Sequence, residues 1–488
     1  MPHALPASPT GPAPTATARN ISFLAALLSM ACGGTLYLFS AYATTLGYTQ
    51  TQTNVIASAG GLGMYLSGPV IGKLVDTYGG RKLALASALS LGAGYAGLAY
   101  TFNSGLSFIW AAAAYSLVGL GSAGSYNSAL TTNVRTFPVH THGLVVGISV
   151  SLFGLSGFIF SQLSKLFMDT KGGVLDTFSF LLFVAATTGA ANLVAATCLY
   201  DSRAAPARLP GTPPSLERPA SGSRRRISVE QEDIPAEAAG ISPILSPSRD
   251  DEPEDIDHVG AAARAFHQPS LFRNPEAWIL LAAFTILTGT GLMYINNIGA
   301  MLATASSLPL ARTHVSVLSI SNSLGRLIAG YLSDLTRMRL PRLFYVLTAS
   351  ISLASAYIAA ATTSSVPGYS ATAAVGLGYG VVFAITPVVV GEWGGVSNFG
   401  LNWGWFQWAP AIGGQLFNTL FGMVMDRNTP AKASSIAAAT QVQCLGPACY
   451  RATFVVAAMA STLAGILIAV LVVRSVKRRH ARGYVSIP

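Results

Sequence analysis

One arginine carries most of the chemistry that this sequence offers. Arg326 lies inside residues 315–332, an apolar run long enough to cross a bilayer, and no other charged residue falls in the interior of such a run. An arginine at the centre of a membrane helix costs roughly 2.5–3.5 kcal/mol on insertion scales, so it is expected to face a polar cavity and to act there. Its planar guanidinium matches a carboxylate in bidentate geometry. The acids are placed elsewhere: none of the 19 Asp and Glu lies mid-span, and Asp76, Glu276, Asp334 and Glu392 fall at span ends or in loops. A central cavity with one fixed positive charge and no carboxylate favours an anion. A single arginine suits a monoanion better than a dicarboxylate, which would want a second cation.

Other polar residues fall within apolar spans: Tyr37, Tyr126, Asn127, Gln162, Tyr294, Asn296, Asn297 and Asn322. Each could line a cavity, or could instead join helices through the hydrogen bonds that are common packing devices in bilayers. Asn296 and Asn297, two adjacent amides deep in one span, are the first choice among them. Enzyme chemistry is not expected: there are no paired mid-span carboxylates, no nucleophile–base constellation and no Cys/His metal spacing, so no cofactor or metal is called for. Gly119-Leu120-Gly121-Ser122-Ala123-Gly124 fits a dinucleotide fingerprint on paper. It sits inside a span with no preceding strand, where small residues serve close helix packing instead. None of the seven histidines is mid-span, and Cys32 and Cys198 read as buried, inert residues.

The elements that must position these residues are membrane helices. The chain of 488 residues is 51% hydrophobic and only 10% charged, against roughly 25% charged in soluble domains. Its net charge of +10 gathers in loops between apolar spans and is not a nucleic-acid-binding face. Twelve candidate spans follow: 21–42, 54–74, 83–102, 106–131, 143–166 and 174–200, then 277–304, 315–332, 343–362, 368–390, 402–425 and 452–473. The expected fold is an all-α membrane protein of twelve transmembrane helices in two pseudo-symmetric six-helix bundles. Its domains are a disordered tail (1–20), a first bundle (21–200), a disordered linker (201–275), a second bundle (276–473) and a basic tail (474–488). No cleavable signal peptide is expected, because the first apolar run is span-length and only Arg19 precedes it as an arginine or lysine.

Charge sets the expected orientation. With both termini inside, thirteen Lys and Arg fall on the short inner segments and six on the outer ones. Residues 201–275 are rich in Pro, Ser, Arg and acids, and such a segment cannot bury enough apolar surface to fold. Arg224-Arg225-Arg226 precedes Ser228, a candidate phosphorylation site; the alternative is a plain solvated tether. Cys444 and Cys449 flank Leu445-Gly446-Pro447-Ala448 in the last outer loop, where oxidation can persist, and are expected to form a disulfide.

The two halves echo each other. Gly72-Lys73-Leu74-Val75-Asp76 ends the second span and Gly330-Tyr331-Leu332-Ser333-Asp334 ends the eighth. Tyr37 pairs with Tyr294, and Gly119-Leu120-Gly121 with Gly376-Leu377-Gly378, all at an offset of about 257 positions, the signature of a duplicated six-helix transporter unit.

The stretch from Gly72 through Asp76 to Gly79, Gly80, Arg81 and Lys82 resembles the cytoplasmic loop signature of the major facilitator superfamily, with Thr77 where the family usually has Arg. Tyr37-Leu38-Phe39-Ser40-Ala41-Tyr42, with Val134-Arg135-Thr136-Phe137-Pro138 and Gly154-Leu155-Ser156-Gly157, is similar to its nodulin-like branch. Gly391-Glu392-Trp393-Gly394, Asn398-Phe399-Gly400-Leu401-Asn402-Trp403-Gly404 and the Cys444–Tyr450 run look most like the fungal monocarboxylate-transporter homologues. The resemblance implies an alternating-access carrier of a small, monocarboxylate-like anion in a vacuolar membrane, the plasma membrane being the alternative. It implies a gate built on Gly72, Asp76, Gly79 and Arg81, echoed by Gly330 and Asp334 with Arg337; the alternative is ordinary topogenic charge. Arg326, Asn322, Tyr37, Tyr294, Asn296, Asn297 and Tyr126 are the candidate solute contacts. In proton-coupled monocarboxylate carriers an acidic residue stands four positions before the matching arginine; here that position is Asn322. The expected partners are a small solute, membrane lipid and a coupling proton or other ion, with the carrier a monomer. A sensor that kept the fold but lost transport is the competing class, as is a carrier of a neutral or dicarboxylate solute.

Overall fold

The structure is a computed structural model and describes residues 15–42, 46–48, 50–168, 175–200, 270–303, 311–363, 367–428, 444 and 446–481. Ser228 and residues 201–269 of the expected linker lie outside these residues, as do 1–14 and 482–488. The first half contains α1 (Ala16–Gly33, extended by a 3-10 segment Gly34–Ala41), α2 (Gln50–Tyr65), α3 (Gly68–Tyr78), α4 (Gly80–Asn103), α5 (Phe108–Thr136), α6 (His142–Leu163) and α7 (Thr177–Cys198). The second contains α8 (Pro275–Ala303), α9 (Ala311–Leu335), α10 (Leu343–Thr362), α11 (Tyr369–Gly394), α12 (Phe399–Phe406), α13 (Trp408–Asn428) and α14 (Ala448–Ala481). Two passes are each broken in two, α2 with α3 and α12 with α13, so these segments make twelve helical crossings.

Both breaks follow from proline. Pro69 stands in the first turn of α3 and Pro410 in the first turn of α13. A proline has no N–H to give the preceding turn and its ring crowds that turn's carbonyl, so each helix stops and restarts. Within the halves, α4 packs on α5 and α7, and α2 on α5; α9 packs on α11, α10 on α14 and α8 on α13. The halves meet chiefly through α6 against α9 and α3 against α12.

Ten helices among the described residues are long and apolar enough to cross a membrane. The passes of α9 and of α12–α13, both expected as apolar spans, fall short of that standard. For α9 the reason is its two-sided character. Ile320, Leu324, Ile328 and Tyr331 are exposed on one side, while Arg326 and Ser333 are buried on the other. Residues one turn apart share a face, so an apolar outer stripe and a polar inner stripe run along one helix.

Three expected boundaries move. α1 begins at Ala16, with the Thr15 hydroxyl accepting the Ala18 N–H, so the tail ends before residue 20. A short turn, Ser270–Arg273, packs buried Leu271 ahead of α8. At the other end α14 runs on to Ala481 because Arg478 reaches Glu276 at the start of α8, with Nη1–Oε1 at 2.9 Å and Nη2–Oε2 at 2.6 Å. A residue expected in a free basic tail thus fastens the first and last helices of the second half together.

Candidate functional site

Arg326 sits where the two halves face each other, on the buried stripe of α9, with 5% of its surface accessible. Glycines make room for it. A Cβ on Gly154 of α6 would come within 2.8 Å of Nη1, and one on Gly147 within 2.7 Å of the Arg326 carbonyl. Its Nε donates to Asn322 Oδ1 over 3.1 Å, and its Nη1 donates to the Val150 carbonyl of α6 in the opposite half. Phe383 covers the guanidinium at 5.5 Å from the ring centre. A guanidinium has five N–H donors. Two are used, and the other three have no protein acceptor among the described residues.

Around this group lies a small cavity shared by both halves, walled by Tyr37, Tyr65, Tyr126 and Phe153 from the first and by a second aromatic set, with Gln407, from the second. No Asp or Glu lines it among the described residues. Its volume is about 20 Å³, near the space one water needs. A solute can therefore enter only if the halves move apart.

At one end of the bundle two carboxylates bind helix starts in the opposite half. Asp76, at the end of α3, accepts the N–H groups of Gly400 (3.0 Å) and Leu401 (2.6 Å) in the first turn of α12. Asp334, at the end of α9, accepts those of Gly143 (3.0 Å) and Leu144 (2.7 Å) in the first turn of α6. The first N–H groups of a helix have no partner inside it and carry its positive dipole end, so both contacts are charge-assisted. Glycine permits this closeness. A Cβ on Gly72 would run into the Gly400 carbonyl, and one on Gly330 into that of Gly143.

Each carboxylate is braced by an arginine that also reaches the far half. Arg135 Nη2 lies 2.5 Å from Asp76 Oδ1 and 2.6 Å from the Ser397 carbonyl, and its Nε lies 3.1 Å from the Val396 carbonyl. Arg342 Nη2 lies 2.7 Å from Asp334 Oδ1 and 3.3 Å from the Val139 carbonyl, while its Nε pairs with Glu392 at 2.7 Å. Val139 and Val396 are repeat equivalents, as are Gly143 and Gly400. The arginines are not: the position equivalent to Arg135 is Glu392, and it faces Arg342 instead. The same latch is built twice with its charges rearranged.

Residues 21–417 match the family model of the Major Facilitator Superfamily. The chain belongs to the major facilitator superfamily. As a member it is a secondary transporter and not an enzyme. Similar proteins include "Probable transporter mch1" of Neurospora crassa, 29% identical over 91% of this chain and 87% of that protein. "Probable transporter MCH1" of Candida albicans is 28% identical over 83% and 85%. Among solved structures the fold resembles the transporter FucP in its outward conformation, with TM-score 0.59 and 12% identity over 92% of this chain and 98% of that one. It also resembles the human organic anion transporter MFSD10, with TM-score 0.59 and 15% identity over the same shares.

In this facilitator the sequence candidates separate into groups. Arg326, Asn322, Tyr37 and Tyr126 come together at the cavity or its arginine. Tyr294, Asn296 and Asn297 do not: the Tyr294 hydroxyl pairs with Thr372 at 2.7 Å, Asn297 with Asn418 at 2.9 Å, and Asn296 is exposed. Repeat equivalence of Tyr37 and Tyr294 gives them no common surroundings, because Tyr294 finds a hydroxyl within its own half. Asn127 bonds Gln407 across the halves, and Gln162 takes Lys165 Nζ at 2.7 Å. Gly72, Asp76, Gly330 and Asp334 form the latch. Gly79 ends α3 with φ +87°, a conformation glycine supplies without strain. Arg81 is turned away, with Nε 2.5 Å from the Leu199 carbonyl of its own half, and Arg337 offers its carbonyl to Arg479. Arg135 and Arg342 take the places expected of them. Cys444 and Cys449 are joined by a disulfide, with Cα atoms 5.9 Å apart. Cys198 is only half-buried, unlike Cys32.

Sequence reasoning passed over Gln407, Tyr379, Phe383 and Trp403 as site residues. The repeat offset was the available signal, since it places Phe383 at the equivalent of Tyr126 and Gln407 at that of Val150. Gly119, Gly121 and Gly124 pack against Gly60, Leu91 and Ser87, as helix contacts rather than a nucleotide loop.

Proposed function

We propose that this transporter carries a small organic monoanion by alternating access, with Arg326 as the group that holds its charge. The observation that carries this reading is the Arg326 guanidinium, buried between the halves with three N–H donors unmatched and no carboxylate among the described residues of its cavity. An uncompensated cation there is costly unless an anion joins it. The likeness to a structure described as an organic anion transporter is in keeping with this. Asn322 holds Nε where proton-coupled monocarboxylate carriers have an acid, so a proton relay through that position is not part of the proposal.

The latch end is assigned to the cytoplasm, with both termini and residues 201–275, on the strength of the basic residues gathered there. The vacuolar membrane is assigned from the resemblance of the 391–394, 398–404 and 444–450 stretches, and the nodulin-like branch from that of 37–42 with 134–138 and 154–157. Cysteine labelling that places residues 201–275 and 426–450 on one side would overturn the orientation.

Flux in proteoliposomes tests the function. Arg326→Gln should abolish uptake while the protein stays folded, since losing a desolvated guanidinium–carboxylate pair costs roughly 2–5 kcal/mol. Arg326→Lys should recover part of it, because a point charge cannot reproduce the planar fork. A well-folded Arg326→Gln protein that carries its solute at normal affinity refutes the anion site.

A further inference from the structure

We propose that the Arg326 cavity selects a flat, ring-bearing carboxylate over a short aliphatic one. This rests on the anion-carrier reading above and names the class of solute. Aromatic residues make up 9% of the chain but eight of the thirteen residues that line the cavity. That concentration surrounds Arg326, a buried cation with no carboxylate partner among the described residues of its cavity.

The rings form two clusters, one from each half. In the first, Phe153 meets Tyr126 edge-on at 4.9 Å and Tyr37 edge-on at 5.9 Å. In the second, Phe383 lies 4.8 Å from Tyr379, and Phe284 lies 5.8 Å from Trp403. Arg326 stands between them, its plane fixed by the face of Phe383 and by its bonds to Asn322 and Val150. A carboxylate on its free N–H edge would project the rest of the solute between the clusters. A planar ring there can stack or meet edges on both sides, the geometry aromatic pairs prefer. A two- or three-carbon acid would reach the guanidinium and leave those faces unfilled.

Two further groups line the cavity. The Tyr126 hydroxyl and the Trp403 indole N–H are both buried and face each other at the edge of hydrogen-bonding geometry, with no other protein partner among the described residues. Buried polar groups are seldom left so, and here they line the cavity. They would meet an oxygen substituent on the ring. The closed cavity is too small for such a solute, so the ring clusters would separate to admit it and close upon it.

The test uses purified full-length protein, with binding followed by thermal shift and by quenching of tryptophan fluorescence. Benzoate, 4-hydroxybenzoate, acetate and lactate are the probes. Both aryl acids should bind about tenfold more tightly than acetate and lactate, with 4-hydroxybenzoate the tightest of the four. Arg326→Gln should lose all four. Tyr379→Leu and Phe153→Leu should each shrink the aryl-to-acetate ratio several-fold, and Tyr379→Phe should keep it. Equal affinity for aryl and aliphatic acids, still lost in Arg326→Gln, overturns the ring selectivity and leaves the anion site standing. Absence of any Arg326-dependent carboxylate binding overturns both.

Discussion

The Asp76 carboxylate accepts the backbone N–H of Leu401 over 2.6 Å, across 325 residues of chain. With the Gly400 contact it holds α12 by its first turn, and the bonds exist only while the halves are closed at this end. Asp76→Asn keeps the shape but removes the charge, and hydrogen bonds to charged groups are worth about 1.5–3 kcal/mol. Hydrogen exchange in the peptide 399–406 should therefore quicken by tenfold or more. Unchanged protection of Gly400 and Leu401 would show that the carboxylate's charge does not hold this seam.

The two arginines of the latch should differ in weight. Arg342 has only 2% of its side chain accessible and neutralises both Asp334 and Glu392, whereas Arg135 has 10% accessible. Breaking a buried ion pair from one side costs about 3–5 kcal/mol, because the partner charge stays behind. Arg342→Ala is expected to lower the melting temperature more than Arg135→Ala. Equal losses would contradict the view that Arg342 balances two acids.

Glycine at the seam should be irreplaceable where the backbones touch and dispensable elsewhere. A side chain on Gly72 or Gly330 meets a carbonyl of the other half, while one on Gly422 meets nothing within 4 Å. Gly72→Ala and Gly330→Ala should raise hydrogen exchange at the latch and cut transport. Gly422→Ala should leave both as they are. Normal transport and normal latch protection in all three variants would mean that the close approach is not needed.

Reduction should loosen the region ahead of α14. A disulfide closing so short a loop stabilises by about 2 kcal/mol through the unfolded chain. A reductant is expected to lower the melting temperature of the wild type by a few degrees and to have no further effect on Cys444→Ser. An equal response in both would show that the stabilising effect does not come from the Cys444–Cys449 bond.

Much of this arrangement was legible in the chain because it is written in charges and glycines. Arg326 stood out against its apolar surroundings, and the two Gly-x-x-x-Asp segments gave the repeat and half of each latch. The partners were harder. Arg135 and Arg342 look like ordinary loop arginines until folding brings them to Asp76 and Asp334, and Arg81 looked better placed than either. Tyr379 and Phe383 lie in a span apolar on every side, where no periodicity separates a cavity wall from a lipid-facing surface. Asn296 and Asn297 misdirect for the opposite reason: an amide in a span signals that it needs a partner, and Asn418 is partner enough for one of them.

The glycine seams bear on how quickly the carrier can cycle. Where knobs of side chain interlock, separation must wait for rotamers to release. Gly72 against Gly400 and Gly143 against Gly330 bring backbone to backbone, with Val75, Ser333 and the two carboxylates close beside them. Low friction at these contacts would leave the dwell time of the closed state to the lifetime of the charged bonds beside them. Turnover would then be a tunable clock, set by a few carboxylates and reset without repacking the helices that carry them.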